Sequence, residues 1–460
     1  MKPRTGVPRT KYWFCVMCVL AGAVALLPVS CDYILSGVRA AEWLARVEEL
    51  AAGFREGQFV LFPSAETLAK AGAGAGGMNS NLWFVLPGIL YWLTGNLVAA
   101  YRVYMVLIQA GTLFGSVLFF RRGFQGEKGR TPAFFGVLLY MTCPYRIYAC
   151  YDLGDLSQAV AWMLLPLYAW AVAGILEESS LEGAEVLEGS SLEGAKVLEE
   201  SSLRGKETLE GSSLEGKRSL SGRRKLWFVL AGALALAGLG YGDVIFFVTA
   251  AGITLLAAAV SRRLLPLICT AGGALLFLPG LARLYGYLFQ EGFQELGLFL
   301  GSIMPQGYSL GQYFSSYAWR DGHPGMGLGM IICLMAAVWL GFVEGEKEER
   351  KVCRVFQGLA AFLALLSFNY FPWDHVQRLG LWALKLVSLV RTPAVFWGMA
   401  FFALCVPAAG GMDRISKKEN RLAAFVVPVL VLTVCLGLCI YQCGMLIYDK
   451  VPVELQAEGM

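Results

Sequence analysis

The chain has 460 residues, of which 57% are hydrophobic and 16% charged, with a formal net charge of +4 and a mean hydropathy of +0.58. Such a composition excludes an intrinsically disordered chain, which combines low hydrophobicity with high net charge. Apolar runs of about 16–24 residues recur from Tyr12 to Ile440. Each can cross the ~30 Å hydrocarbon core as a helix with its backbone polar groups bonded internally. None carries a charged residue in its middle. Intramembrane charges usually mark ion or proton pathways, so their absence argues against a coupled transporter and moves any chemistry to a membrane face.

The pattern predicts an all-α protein with eleven spans, at roughly 12–31, 97–120, 131–148, 156–176, 226–240, 244–260, 264–282, 325–343, 355–371, 393–409 and 422–441. The first follows Lys2, Arg4, Arg9 and Lys11 and resembles a signal peptide, but it is too long for a signal core and many spans follow. PVSC, ending at Cys31, is a poor lipoprotein cleavage site because Pro28 stands three residues before the Cys. The apolar 82–95 segment is expected to be interfacial or re-entrant. With the N-terminus inside, 26 of the 38 Lys and Arg fall on the inner side, as the positive-inside rule requires. This organisation gives an N-terminal membrane module over 1–176, an inner repeat insert over 177–225, a second module over 226–441 and a short outer tail over 442–460. The scattered cysteines read as small buried hydrophobes.

The insert repeats every 11 residues from Leu176, Leu187, Leu198 and Leu209, with Gly at 183, 194, 205 and 216. An 11-residue period suits a helix, but a Gly in each copy costs ~1 kcal/mol. A mostly disordered tandem expansion is therefore expected, ending in the basic flank Arg223-Arg224-Lys225, placed to meet anionic lipid.

Four segments fall on the outer side. In the first, 32–81, Trp43, Leu44, Val47 and Leu50 form an apolar stripe, with Glu42 and Glu49 opposite and Arg46 at the flank. This predicts an amphipathic helix on the membrane surface. The second, 145–158, holds Arg146, Asp152 and Asp155 in a tight turn, where either acid can simply cap the helix starting near Leu156. The third carries Arg320, Asp321 and His323, and the fourth Asp374, His375, Lys385 and Arg391. Asp374 is a candidate cap, and Lys385 and Arg391 are candidate snorkelling anchors. Two histidines, His323 and His375, in separate loops and without a third ligand make a weak metal signal. GMGLGM (325–330) fails as a phosphate loop because Met330 replaces its last Gly and no strand precedes it.

The stretches LARVEELAAGFREGQF (44–59), LPGILYWLTGNLVAAYRVYMVLIQ (86–109), LLYMTCPYRIYACYDLGDLSQAVAWMLLPLYAW (138–170) and FPWDHVQRL (371–379), in this order, resemble a bacterial multi-spanning family. These are the 6-pyruvoyl-tetrahydropterin-synthase-related membrane proteins, close to the YfhO-like proteins; the pterin name implies no pterin chemistry. Both are similar to the C-type glycosyltransferases, which use polyprenyl-phosphate-linked sugars. The resemblance implies a first-loop carboxylate that acts as base toward the acceptor, often beside a divalent metal, with no metal motif evident here. It also implies a phosphate held by Arg forks, a geometry suited to two oxygens. On this chain the candidate carboxylates are Asp32, Glu42, Asp152 and Asp155, and the candidate phosphate ligands are Arg39, Arg46, Arg146 and Arg391. Departures are specific: Arg39 stands where the family carries its acid, Trp43 where it carries a His, and Ser157-Gln158 where it carries Gly-Glu.

The expected function is thus lipid-linked-sugar-dependent glycosyl transfer at the outer face of a bacterial plasma membrane. A catalytically degenerate relative that binds lipid or envelope partners is the alternative, and a transporter or flippase the third. Membrane lipid, including a polyprenyl-phosphate sugar, is the expected partner, and no nucleic acid is.

Overall fold

The computed structural model describes residues 9–35, 37, 39–64, 67, 80–124, 129–196, 207–289, 302–315, 324–325, 327–342, 347–390, 392–416 and 421–449. Among them the architecture is all-helical, with a single isolated bridge between Tyr308 and Phe368 and no strand. The longer helices are α1 (Arg9–Ala25), α2 (Ala40–Arg55), α3 (Val85–Thr94), α4 (Leu97–Gly123), α5 (Arg130–Met141), α6 (Leu156–Lys196), α7 (Glu207–Gly242) and α8 (Val244–Ser261). They continue with α9 (Leu265–Leu276), α10 (Leu278–Phe289), α11 (Gly327–Phe342), α12 (Lys347–Ser367), α13 (Leu381–Val390), α14 (Ala394–Ser416) and α15 (Arg421–Asp449).

Six described helices are long and apolar enough to cross a membrane: Leu97–Gly123, Leu156–Glu178, Gly222–Gly242, Val244–Ser261, Ala394–Met412 and Val426–Tyr448. A seventh crossing exists if α9 and α10, bent by 75° at their junction, are one broken span. The break falls at Phe277, and Pro279 sits in the first turn of the new helix, where its missing N–H would have no helical partner in any case. The other expected spans are shorter or interrupted. The 131–148 run is α5, a break at Thr142-Cys143, then a new turn opening on Pro144, because proline lacks the N–H that helix continuation needs. At 1.5 Å per residue, the ten residues of α3 cover about half the hydrocarbon thickness.

The insert departs from expectation. α6 runs on to Lys196 and α7 starts at Glu207, so both flanks of the repeat are helical rather than disordered. The 11-residue period is 3.67 residues per turn, close to the helix itself, and two long spans already nucleate each flank, removing the costly first turn.

α14 is the axis of the bundle. It lies against α5, α11, α12 and α15, and α6 lies along α4 and α7. Trp162 of α6 and Trp397 of α14 are wholly buried. The surfaces of α8, α9 and α12 instead expose Val260, Leu275 and Val355, the reverse of a water-soluble bundle and the arrangement a lipid solvent favours. α6 and α7 are antiparallel neighbours, so their ends at Leu156 and Gly242 meet on one face while the insert lies at the other.

Candidate functional site

The first loop reaches the face opposite the insert by a glycine-on-glycine crossing. A Cβ on Gly37 would lie 2.6 Å from the Gly154 Cα, and Gly154 holds φ +65°. Any larger residue would separate the strands of chain, and an L side chain at 154 would also be strained. Next to this crossing the Arg39 amide donates to the Leu153 carbonyl at 2.9 Å. α2 begins at once, and its first turns lie over the Leu156 end of α6.

Arg39 forms an ion pair with Asp155. The other oxygen of Asp155 accepts the Gln158 amide at 3.0 Å, so this acid is a helix cap and an ion-pair partner at once. Further along α2, Arg46 pairs with Glu42, four residues before it, at 2.6 Å and stacks over Phe84. Asp243, in the turn between α7 and α8, caps α8 by accepting the Ile245 amide at 2.9 Å and receives the Gln158 side-chain amide at 3.3 Å. Gln158 thus bridges the two aspartates. Its Oε1 is buried without a hydrogen-bond partner among the described residues.

The electrostatics differ from group to group. Burial opposes the charge on Arg39, but Asp155, Glu42 and Asp243 outweigh it and hold the guanidinium above its ordinary value. For Arg46 burial wins and lowers it. Asp243 is pushed up to about 6, first by burial and then by the neighbouring Asp155 charge, against the opposing pull of Arg39. A carboxyl raised toward neutrality within reach of Arg39 is an acid–base group as well as a cap.

Of the sequence candidates, Arg39, Glu42, Arg46 and Asp155 come together, and Asp152 stands at the edge, with Tyr148 within electrostatic reach of both it and Arg39. Asp32 sits apart, exposed and paired with Arg102 at 2.8 Å. Arg146 is also elsewhere: wholly buried, it donates to Gln109 Oε1 at 2.5 Å and to the carbonyls of Tyr140, at 3.2 Å, and Met141. The break before Pro144 leaves the Met141 carbonyl to Arg146, which also gives a second donor to the Tyr140 carbonyl already accepting the Cys143 amide. Arg391 lies outside the described residues, as do Arg320, Asp321 and His323.

Three surface expectations change. The α2 stripe faces protein rather than lipid: Trp43 stacks on Tyr101 of α4 at 5.4 Å, and Arg46 is buried beneath it. Lys385 does not snorkel; α13 lies over α10, and the buried amine sits 5.9 Å from the Tyr287 ring, a cation–π arrangement. Asp374 accepts from Ser302 and from the Ile303 and Met304 amides, tethering a separate segment rather than capping its own turn.

A divalent metal does not fit this donor set. Asp155 and Glu42 are each neutralised by an arginine, and among the described residues no group of three or more His, Cys, Asp or Glu is placed to hold an ion. Asp243 and Gln158 were not sequence candidates. Asp243 had a signal: it is the one charged residue in the short link between two apolar runs, 226–240 and 244–260, on the side shared with 145–158. No protein-family model matches this chain, and no curated protein does either.

Proposed function

We propose that the protein is a multi-pass membrane enzyme that transfers sugar from a polyprenyl-phosphate-linked donor at the face opposite the insert. The observation that carries this reading is the convergence of Arg39, Arg46, Gln158 and Asp243 from three chain segments at one end of the bundle. In this reading eleven segments cross a bacterial plasma membrane, the N-terminus and insert are cytoplasmic, and the C-terminus is outside. The 26 of 38 basic residues on the insert side support that orientation.

Chemically, Asp243 takes the proton of the acceptor hydroxyl as its oxygen bonds the anomeric carbon. The bond from that carbon to the phosphate oxygen breaks, and the departing lipid phosphate carries its charge to Arg39, with buried Arg46 adding positive charge from behind. Gln158 Oε1, otherwise unmet, accepts a sugar hydroxyl. The Arg39 fork suits phosphate because two N–H groups meet two oxygens.

One observation favours the second reading, a degenerate relative that binds lipid-linked sugar without turnover. Arg39 stands where the resemblance expects an acid, and its charge is already met by Asp155. Incorporation of labelled sugar from a polyprenyl-phosphate donor by the purified protein separates the two. Transfer by the wild type, reduced ~10²-fold or more in Asp243→Asn, is expected of general-base loss. Binding without transfer would leave the second reading.

A further inference from the structure

On the other side of the bundle, α11, α12, α14 and the short helix Leu310–Phe314 enclose an open apolar groove of about 550 Å³. Leu310 and Phe314 close one end, Leu334 and Val338 form a wall, and Ala361 and Ala364 form the floor. Small side chains on α12, at Gly358, Ala361 and Ala364, leave the space unfilled. From Arg354 to Phe368, both in the lining, the groove follows α12 for about 21 Å at 1.5 Å per residue. That is most of the ~30 Å hydrocarbon thickness.

The ends of the groove differ in polarity. Its lining on α12 follows one stripe, Arg354, Gln357, Ala361, Ala364 and Phe368, at the alternating spacings of three and four that share a helix face. Extending that stripe by one turn reaches Arg350. Arg350, Lys351 and Arg354 fall within about 100° of arc around the helix. The basic arc therefore continues the groove face at the insert end. At the far end the rings of Tyr313 and Phe368 meet at 4.7 Å, and among the described residues that line this end none is charged. A slot shaped for a hydrocarbon chain, with cations at one mouth, complements a lipid whose head is anionic.

We propose that this groove holds one acyl chain of an anionic phospholipid from the insert-side leaflet, its head phosphate resting on Arg350 and Arg354. The site is separate from the Arg39–Asp243 cluster and rests only on α11 and α12 lying in the membrane. Its role is to seal the α12–α14 seam, which protein side chains leave open.

The test is native mass spectrometry of the detergent-purified protein with added phosphatidylglycerol or phosphatidylcholine. One retained phosphatidylglycerol per chain, preferred over phosphatidylcholine, is expected. Arg350→Gln and Arg354→Gln should each lower the preference about five-fold, the usual worth of one basic residue at an anionic head. Ala361→Trp, and independently Val338→Trp from the other wall, should abolish retention while the protein stays monodisperse. Equal retention of the two lipids, or retention that survives both tryptophans, would overturn the proposal. A Cys at Leu365, exposed on the outer side of α12, should resist a membrane-impermeant thiol reagent in vesicles. Labelling there would instead refute the membrane placement of α12, a failure distinct from loss of lipid preference.

Discussion

Replacing Asp243 by Asn separates its chemistry from its structural work. Asn caps a helix about as well as Asp, and Gln158 can turn its amide to present the free Oε1 to the new NH2 group. The cap and the bridge to Asp155 should therefore survive. What changes is ionisation. Asp243 is raised from an ordinary 3.8 to about 6, roughly two units at about 1.4 kcal/mol each. The folded state thus carries a penalty on the order of 3 kcal/mol at neutral pH. The sign is opposite to that of a salt-bridged acid. Below pH ~4 both states are protonated and there is no penalty. Between pH ~4 and ~6 the folded state binds more protons than the unfolded one, so wild-type stability falls as pH rises, then levels. Thermal unfolding in detergent at pH 4.5, 6 and 8, taken as variant minus wild type, cancels the other titrating groups. Asp243→Asn should gain relative stability as pH rises and lose transfer activity. A difference that stays flat with pH, or favours the wild type at pH 8, would refute the buried acid.

Arg146→Lys should lower the yield of folded protein almost as much as Arg146→Ala, because the three contacts come from three separate guanidinium nitrogens, a spread that a single ammonium nitrogen lacks; breaking such buried charge contacts costs about 3–5 kcal/mol. Monodisperse yield after detergent extraction is the readout, and full rescue by Lys would oppose it. Gly154→Ala should detach the first loop, since Gly154 is left-handed and abuts Gly37; proteolysis near residue 38 should accelerate, whereas Gly252→Ala, at a position with open space, should be neutral. Deleting 177–219 should preserve membrane insertion, because loop closure entropy changes slowly with length; loss of inserted protein would make the repeat helices structural. In intact cells a Cys at Ser315 should react with an impermeant thiol label and one at Ser201 should not; the reverse pattern would invert the orientation.

The membrane character and the site's neighbourhood were legible in the sequence for a physical reason. Apolar run length reports the hydrocarbon thickness, and Asp155 before Leu156 is a local cap signal. What was illegible depends on contacts distant in sequence. Nothing near Arg39 announces that it meets Asp155, because the approach depends on Gly37 against Gly154. The stripe of α2 read as lipid-facing because periodicity reports an apolar partner without saying whether that partner is lipid or Tyr101. Arg146 looked like a ligand because the broken end of α5, which needs it, is hidden in an apolar run. Asp243 escaped notice as one residue in a short link, and only burial beside Asp155 raises it toward neutrality.

Photo-crosslinking with a diazirine-bearing polyprenyl-phosphate sugar, with adducts mapped by peptide mass spectrometry, tests the central claim most directly. Adducts should fall within 39–55, 145–158 and 241–244, compete with unlabelled donor, and weaken in Arg39→Gln. Adducts confined to the insert face, or unchanged by competitor, would contradict a lipid-linked-sugar site at this end of the protein.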